Sequence, residues 1–392
     1  MAAHPRERRS CILVLGVHRS GTSAVTRVIN LLGAALPTNL MGPSPNNNEA
    51  GFWEPKNLWL LHDQMLGEAG SQWDDWRKLD LGVLPLGRLQ FFKSEIQRMI
   101  DEEYGNAPLF VLKDPRICRF VPFYQDMFGE MAIELKYVLI HRHPFAVEAS
   151  LKVRDQMPEA CSQLLWLRYV LEAEKSTRDC TRKFISYEAL MADDRRHVNE
   201  LAAALAVPWP EQSAMVEIRS SLRQELHHQK DGAEARRKVP LAVRWLEPSW
   251  LALEEAMNTG KEQIAKFDSV EHGLSKAEET AARTDFSEAS ALAVILAGEQ
   301  IEIAARDAQI STLEAELANV STESKTERAR LNEALEQARA EILTARQHLE
   351  VLYRSRSWRI TAPLRKASEN GRDLLNRIRS RIPGFVHQRR DS

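Results

Sequence analysis

Eight residues, Gly16-Val17-His18-Arg19-Ser20-Gly21-Thr22-Ser23, carry the strongest chemical signal in the sequence. They follow an apolar run and open a helical pattern. Successive backbone N–H groups and a helix N-terminus therefore converge on one place, which suits an anion. Gly21 permits close backbone approach, Ser20, Thr22 and Ser23 offer hydroxyl donors, and Arg19 sets a cation inside the loop. A second anion site is expected at Arg142, within His141-Arg142-His143-Pro144, with Ser150 a turn or so into the helix that starts near Phe145.

The loop is similar to a Walker A loop, GxxxxGK[ST], except that Thr22 stands at the lysine position. A triphosphatase without that lysine lacks its main cation for the β- and γ-phosphates. Arg19, one turn of the loop earlier, suits an anion approached from another direction. A P-loop nucleotide kinase or hydrolase stays open as the alternative, as does a non-catalytic assembly protein with a degenerate nucleotide domain.

Arg19-Ser20-Gly21-Thr22-Ser23 resembles the [KR]-S-G-T-[ST] loop of the sulfotransferase family, in the arginine form of tyrosylprotein and bacterial members. The resemblance runs from about Ser10 to Trp250, with motifs in the family's order. It implies a domain that binds 3′-phosphoadenosine 5′-phosphosulfate (PAPS) and transfers its sulfuryl group to a hydroxyl. Arg19, Ser20, Gly21, Thr22 and Ser23 would then hold the 5′-phosphosulfate. Arg142 and Ser150, with seven residues between them, match the family's 3′-phosphate pair; many members read Arg-Asp-Pro where this chain has Arg142-His143-Pro144. Tyr187-Glu188 with Leu190 is similar to the family's Tyr-Glu-x-Leu element, whose tyrosine joins the nucleotide site.

By analogy with phosphoryl transfer, such a reaction needs a cation at the departing oxygen and a base at the acceptor hydroxyl. Lys113, in Lys113-Asp114-Pro115-Arg116, stands where related tyrosylprotein enzymes carry a lysine that assists the departing phosphate, and Arg116 competes for that role. Glu54, in Gly51-Phe52-Trp53-Glu54-Pro55, is the expected base, its pKa raised by apolar neighbours. His62, beside Asp63, is the rival, because cytosolic members use a histidine. The scheme needs no metal, and the histidines lack HExxH spacing.

These residues need a scaffold that brings them to one edge. Cys11–Leu15, Leu109–Leu112, Leu135–Ile140 and Lys183–Ser186 read as strands, near-continuously apolar as expected when both faces are covered. Helical patterns lie between them at Gly21–Leu32, Leu58–Leu66, Leu89–Glu103, Phe145–Val153, Ser162–Lys175 and Arg195–Leu205. Alternation of strand and helix predicts an α/β fold: a P-loop-like parallel sheet flanked by helices, with ligands beyond the strands' carboxyl ends.

Beyond about Ala256 the composition shifts to Ala, Glu, Gln, Arg and Leu, with no proline until Pro363. Ile303, Ile310 and Leu317 recur in sevens, with Leu313 and Val320 beside them; past a polar stretch, Leu335, Ile342 and Leu349 resume in a frame displaced by four. This predicts a coiled coil with a stutter and a homo-oligomer formed through it. The expected order is an N-terminal tail (1–9), the P-loop domain (10–255), a helical linker (256–300), the coiled coil (301–353) and a basic C-terminal segment (354–392). That basic amphipathic segment suits an anionic membrane surface. Within it, Ser355–Arg365 resembles a tail found after coiled coils in bacterial glycosyltransferases of surface-polysaccharide synthesis. The resemblance implies a glycan or glycolipid acceptor and a cytoplasmic protein peripheral at the inner membrane face.

The 392-residue chain has a net charge of −2, which argues against a nucleic-acid partner. Its 4 cysteines are scattered, with no CxxC pair, as in a reducing compartment. No apolar stretch nears the ~18 residues that span a bilayer.

Overall fold

The computed structural model describes residues 9–43, 51–192, 194–207, 212–227, 242–281 and 285–354, together with Lys366 and Arg372. Apart from Arg354 and those two residues, the basic C-terminal segment lies outside the described residues, as does the N-terminal tail up to residue 8.

The apolar runs form β1 (Ser10–Leu15), β2 (Leu109–Lys113), β3 (Glu134–His141) and β4 (Arg182–Ser186). They pair in parallel in the order β2-β1-β3-β4. The register sets Leu13 beside Leu112 and Tyr137, and Leu139 beside Phe184. Because strand side chains alternate, Leu13, Leu112, Leu139 and Phe184 enter one core while Ile12, Val111, Val138 and Ile185 enter another. Both faces are covered, which is why the runs are continuously apolar.

The helices are α1 (Thr22–Leu31), α2 (Leu58–Glu68), α3 (Leu86–Tyr104), α4 (Ile117–Glu130), α5 (Pro144–Asp155) and α6 (Glu159–Ser176). After β4 come α7 (Tyr187–Ala192), α8 (Asp194–Leu205), α9 (Gln212–His227), α10 (Val243–Thr259), α11 (Ile264–Ala281) and α12 (Glu288–Arg354). Helices α1, α7, α8 and α9 cover one face; α3, α4, α6, α10, α11 and the start of α12 contribute to the core on the other. Helix α4, absent from the expected set, buries Ile117, Phe120, Val121, Tyr124, Met127 and Phe128 despite an internal Pro122.

The chain divides into two units, Met1–Ile303 and Ala304–Ser392. Within 256–300, the end of α10, α11 and the start of α12 belong to the first unit. Phe267, Val270 and Leu274 of α11 and Ala291, Val294 and Ile295 of α12 belong to the main core. Gly298 marks a close approach of α12 to α10, since a Cβ there would lie 2.7 Å from the Trp245 ring. Charge adds to this packing: Arg168 of α6, buried, pairs with Glu278 at 2.6 Å and Glu271 at 3.3 Å. In the second unit α12 exposes its side chains over 304–351, Ile310, Leu313, Leu317, Leu335, Ile342 and Leu349 of the expected apolar seam among them.

Candidate functional site

Each strand delivers one expected motif at its carboxyl end: Gly16–Ser23 after β1, Lys113 at the end of β2, Arg142 after β3 and Tyr187 after β4. Strands β2 and β3 flank β1, so the loop between β1 and α1 sits at the switch point where open parallel sheets bind ligands.

The loop turns sharply. Arg19 and Gly21 adopt left-handed backbone angles, φ 71 and φ 93. Gly21 also lies against Tyr187, where an added Cβ would come within 2.1 Å of the ring, so the glycine is required twice over. Ser20 is fully buried and its Oγ has no hydrogen-bond partner, an unmet polar group at the centre of the loop. Thr22 is buried in the first turn of α1.

On one side of the loop the structure brings Arg19, Arg142, Ser150 and Tyr187 together. Arg19 Nε donates to Ser150 Oγ at 2.8 Å, and Arg142 donates to the Arg19 carbonyl at 3.3 Å. The Arg142 guanidinium lies over the Tyr187 ring, 5.1 Å from its centroid. Neighbours hold Arg142 in place: Trp166 Nε1 donates to its carbonyl at 3.2 Å, and the next amide, of His143, donates to Glu188 at 3.0 Å. Arg19 is thus drawn toward the Arg142–Ser150 side of the loop.

On the other side lie Ser23, Lys113 and Glu54. Lys113 Nζ donates to Ser23 Oγ and to the Phe52 carbonyl, each at 3.2 Å, and is hydrogen-bonded to Glu54 Oε1. Lys113 and Glu54 are 2% and 4% exposed, so both charges are buried. Burial pushes the Glu54 carboxyl up to about 7, against the pull of Lys113. The segment that carries Glu54 is bent by left-handed angles at Gly51 and Trp53, and Arg27 of α1 stacks over the Trp53 ring at 5.0 Å.

His62 is placed differently from a base. It is fully buried, with Nδ1 3.0 Å from Asp114 Oδ2 and Nε2 2.7 Å from the Tyr124 hydroxyl. Both ring nitrogens are engaged inside the protein, so no face remains for an acceptor. Arg116, the rival cation, is taken by Asp63 at 2.6 Å and Asp114 at 3.1 Å.

No family model and no curated protein matches the chain. Several solved structures are similar to it, including three of sulfotransferases. The sulfotransferase domain from the curacin biosynthetic pathway is 16% identical, with 68% of this chain and 98% of that one covered and a TM-score of 0.34. The sulfotransferase domain from the Synechococcus PCC 7002 olefin synthase is 17% identical over 68% and 96%, with a TM-score of 0.34. Sulfotransferase STF1 from Mycobacterium tuberculosis H37Rv is 12% identical over 62% and 76%, with a TM-score of 0.35.

Two supporting residues went unmarked in the sequence reading. Asp114 anchors the turn after Lys113: burial opposes its charge, yet Arg116 and His62 hold its carboxyl well below the usual carboxylate range. It accepts from the Arg116 amide at 2.9 Å and so shapes the turn after Lys113. Its signal was the Lys-Asp-Pro string itself, read for its lysine alone. His18, inside the loop, lies edge-on to Trp73 at 4.7 Å and to Tyr169 at 5.9 Å. Burial, with Arg116 and Arg154 nearby, holds it well below the usual histidine pKa and so uncharged near pH 7.

Proposed function

We propose that the chain is a sulfotransferase that moves a sulfuryl group from PAPS to a hydroxyl acceptor. The observation that carries this reading is the pair of clusters on opposite sides of one loop: Arg19, Arg142 and Ser150 on one, Ser23, Lys113 and Glu54 on the other. A donor with two separated anionic ends needs such an arrangement. The chain's groups fit it, since the buried Ser20 hydroxyl has no protein partner and the cations come from three different strand ends.

PAPS supplies an activated sulfuryl group on a phosphate leaving group. Arg142 and Ser150 bind the nucleotide's 3′-phosphate, and Arg19 is shared between that end and the loop. Ser20, Ser23 and the loop amides orient the 5′-phosphosulfate. Lys113 stabilises charge as it develops on the departing oxygen. Glu54, with a carboxyl pKa near neutrality, accepts the acceptor's proton. His62 and Asp114 position the strand end that carries Lys113.

The acceptor we propose is a glycan or glycolipid hydroxyl, met by a cytoplasmic protein at the inner membrane face. The sequence of Ser355–Arg365 and the basic segment around it support that choice.

A thermal-shift comparison tests the donor. Adenosine 3′,5′-bisphosphate is expected to raise Tm well above the effect of equimolar Mg-ATP; a tenfold preference corresponds to about 1.4 kcal/mol at saturating ligand. Stabilisation by Mg-ATP alone would overturn the assignment.

A further inference from the structure

From Ala304 onward α12 is exposed at every described position, yet it carries an apolar seam. Ile310, Leu313, Leu317, Leu331, Leu335 and Ile342 are 49–71% exposed. A polar helix of this length in water needs no such stripe, and in water the stripe's apolar surface is unfavourable. The seam has two frames separated by Ser321–Arg330, and the charges beside it differ between them. Asp307 and Glu314 follow the first frame; Arg339 and Arg346 follow the second at the equivalent heptad position.

We propose that this helix pairs with the same helix of a second copy of the chain in antiparallel orientation, with Ser324 at the two-fold axis. In that register every layer reads from the sequence. Ile310 packs on the partner's Ala338, Leu313 on the partner's Leu335, and Leu317 on the partner's Leu331. In these layers isoleucine meets alanine and leucine meets leucine, as interdigitation requires, while Ile342 and Val320 lie against the aliphatic stems of the partner's Arg306 and Arg328. The same register sets Asp307 against the partner's Arg346 and Glu314 against the partner's Arg339, and the two-fold axis repeats both pairs. With the four-residue displacement between frames, an axis at Ser324 keeps each half of one helix in register with the other half of its partner.

The parallel in-register alternative is poorer on both counts. It stacks Arg306 on its own copy, like charge on like charge, where the antiparallel register sets Arg306 against the partner's Ile342. It also leaves Ala338 facing Ala338 and Ala345 facing Ala345, where the packing is thin. Flanking charge then favours it only at Glu341 with the partner's Arg346. Charge complementarity therefore selects the antiparallel pair. The inference is independent of the sulfuryl-transfer reading.

Three measurements on the full chain test it. Sedimentation equilibrium should give twice the 44.6 kDa chain mass; a monomer at tens of micromolar would overturn the proposal. Under mild oxidation, a mixture of the Leu317→Cys and Leu331→Cys variants should yield covalent heterodimer. Each variant alone should stay at the wild-type background set by its own cysteines. These two sites are about 21 Å apart along one helix, so self-linking of Leu317→Cys would mean a parallel pair and sink the proposal. Last, Glu314→Arg should weaken dimerisation at least tenfold, with helicity by circular dichroism unchanged, and Arg339→Glu added to it should restore the dimer. Failure of that restoration contradicts the assigned register.

Discussion

Lys113 and Glu54 face each other as a buried ion pair at the foot of the loop between β1 and α1, with the Phe52 carbonyl and Ser23 Oγ sharing the same ammonium. The pair joins the end of β2 to the loop before α2, and so sets the proposed acid–base group beside the proposed electrophilic cation. Removing either partner leaves the other charge buried and unmatched, which is costly, commonly about 3–5 kcal/mol.

The position of the Glu54 carboxyl sets a pH dependence for catalysis. With its pKa raised to about 7, Glu54 is protonated and useless as a base below neutrality. kcat/KM is expected to rise roughly tenfold per pH unit up to about 7 and then level off. Glu54→Gln should abolish that limb and lower the plateau by about 10²–10⁴-fold. A retained limb in Glu54→Gln would assign the base elsewhere.

The same shift acts on stability, and its sign is opposite to that of an ordinary salt-bridged carboxylate. The folded-state pKa, about 7, lies above the ordinary 4.5, so between those values the folded chain holds a proton that the unfolded chain has lost. Stability from this group therefore falls as pH rises from 4.5 to 7 and stays low above it. The loss amounts to about 3–4 kcal/mol. Urea denaturation of wild type and Glu54→Gln at pH 5 and pH 8 isolates it: the wild type should lose more stability on going to pH 8 than the variant does.

His62 separates a structural role from a catalytic one. Its bonds to Asp114 and Tyr124 are both buried, so His62→Gln should cost about 1–3 kcal/mol of stability while the pH limb near 7 survives. Disappearance of the limb in a folded His62→Gln protein would restore histidine as the base.

Arg142 should govern nucleotide affinity more than turnover. Its guanidinium is planar, lies over Tyr187 and donates to the Arg19 carbonyl, a geometry that a lysine ammonium cannot copy. Arg142→Lys is expected to weaken adenosine 3′,5′-bisphosphate about tenfold, and Arg142→Ala about a hundredfold, or roughly 1.4 and 2.8 kcal/mol. Isothermal titration measures both. Equal affinity in all three proteins would place the 3′-phosphate elsewhere.

Much of this site was legible because parallel strands announce themselves: four apolar runs, each ending in a polar motif, already fix which residues share an edge. The loop between β1 and α1, Lys113 and Arg142 fall on that edge. What stayed hidden depends on packing. Helix α4 was missed because Pro122 interrupts a segment whose apolar spacing is otherwise helical, and the buried face of that helix outweighs the lost backbone bond. His62 looked available beside Asp63, whereas its real partners, Asp114 and Tyr124, lie 52 and 62 residues away in sequence. The role of 256–300 was obscured because a packed amphipathic helix and a linker helix share a composition. The burial of Phe267, Val270 and Leu274 in the main core, with Arg168 reaching Glu271 and Glu278, reveals the difference.

Gly21 and Tyr187 offer the sharpest test of the loop, because two separable costs meet at one atom. At φ 93 any side chain at position 21 is strained, by about 1–2 kcal/mol. An added Cβ would in addition sit 2.1 Å from Tyr187 Cδ2, which must then move and carry away the ring beneath Arg142. Gly21→Ala should therefore lower both stability and nucleotide affinity. Tyr187→Ala in the same chain removes the clash and leaves the dihedral strain, so the double variant should be more stable than the sum of the two single losses implies. A double-mutant cycle by denaturant unfolding reads the coupling directly. Strict additivity would show that the loop does not rest on Tyr187.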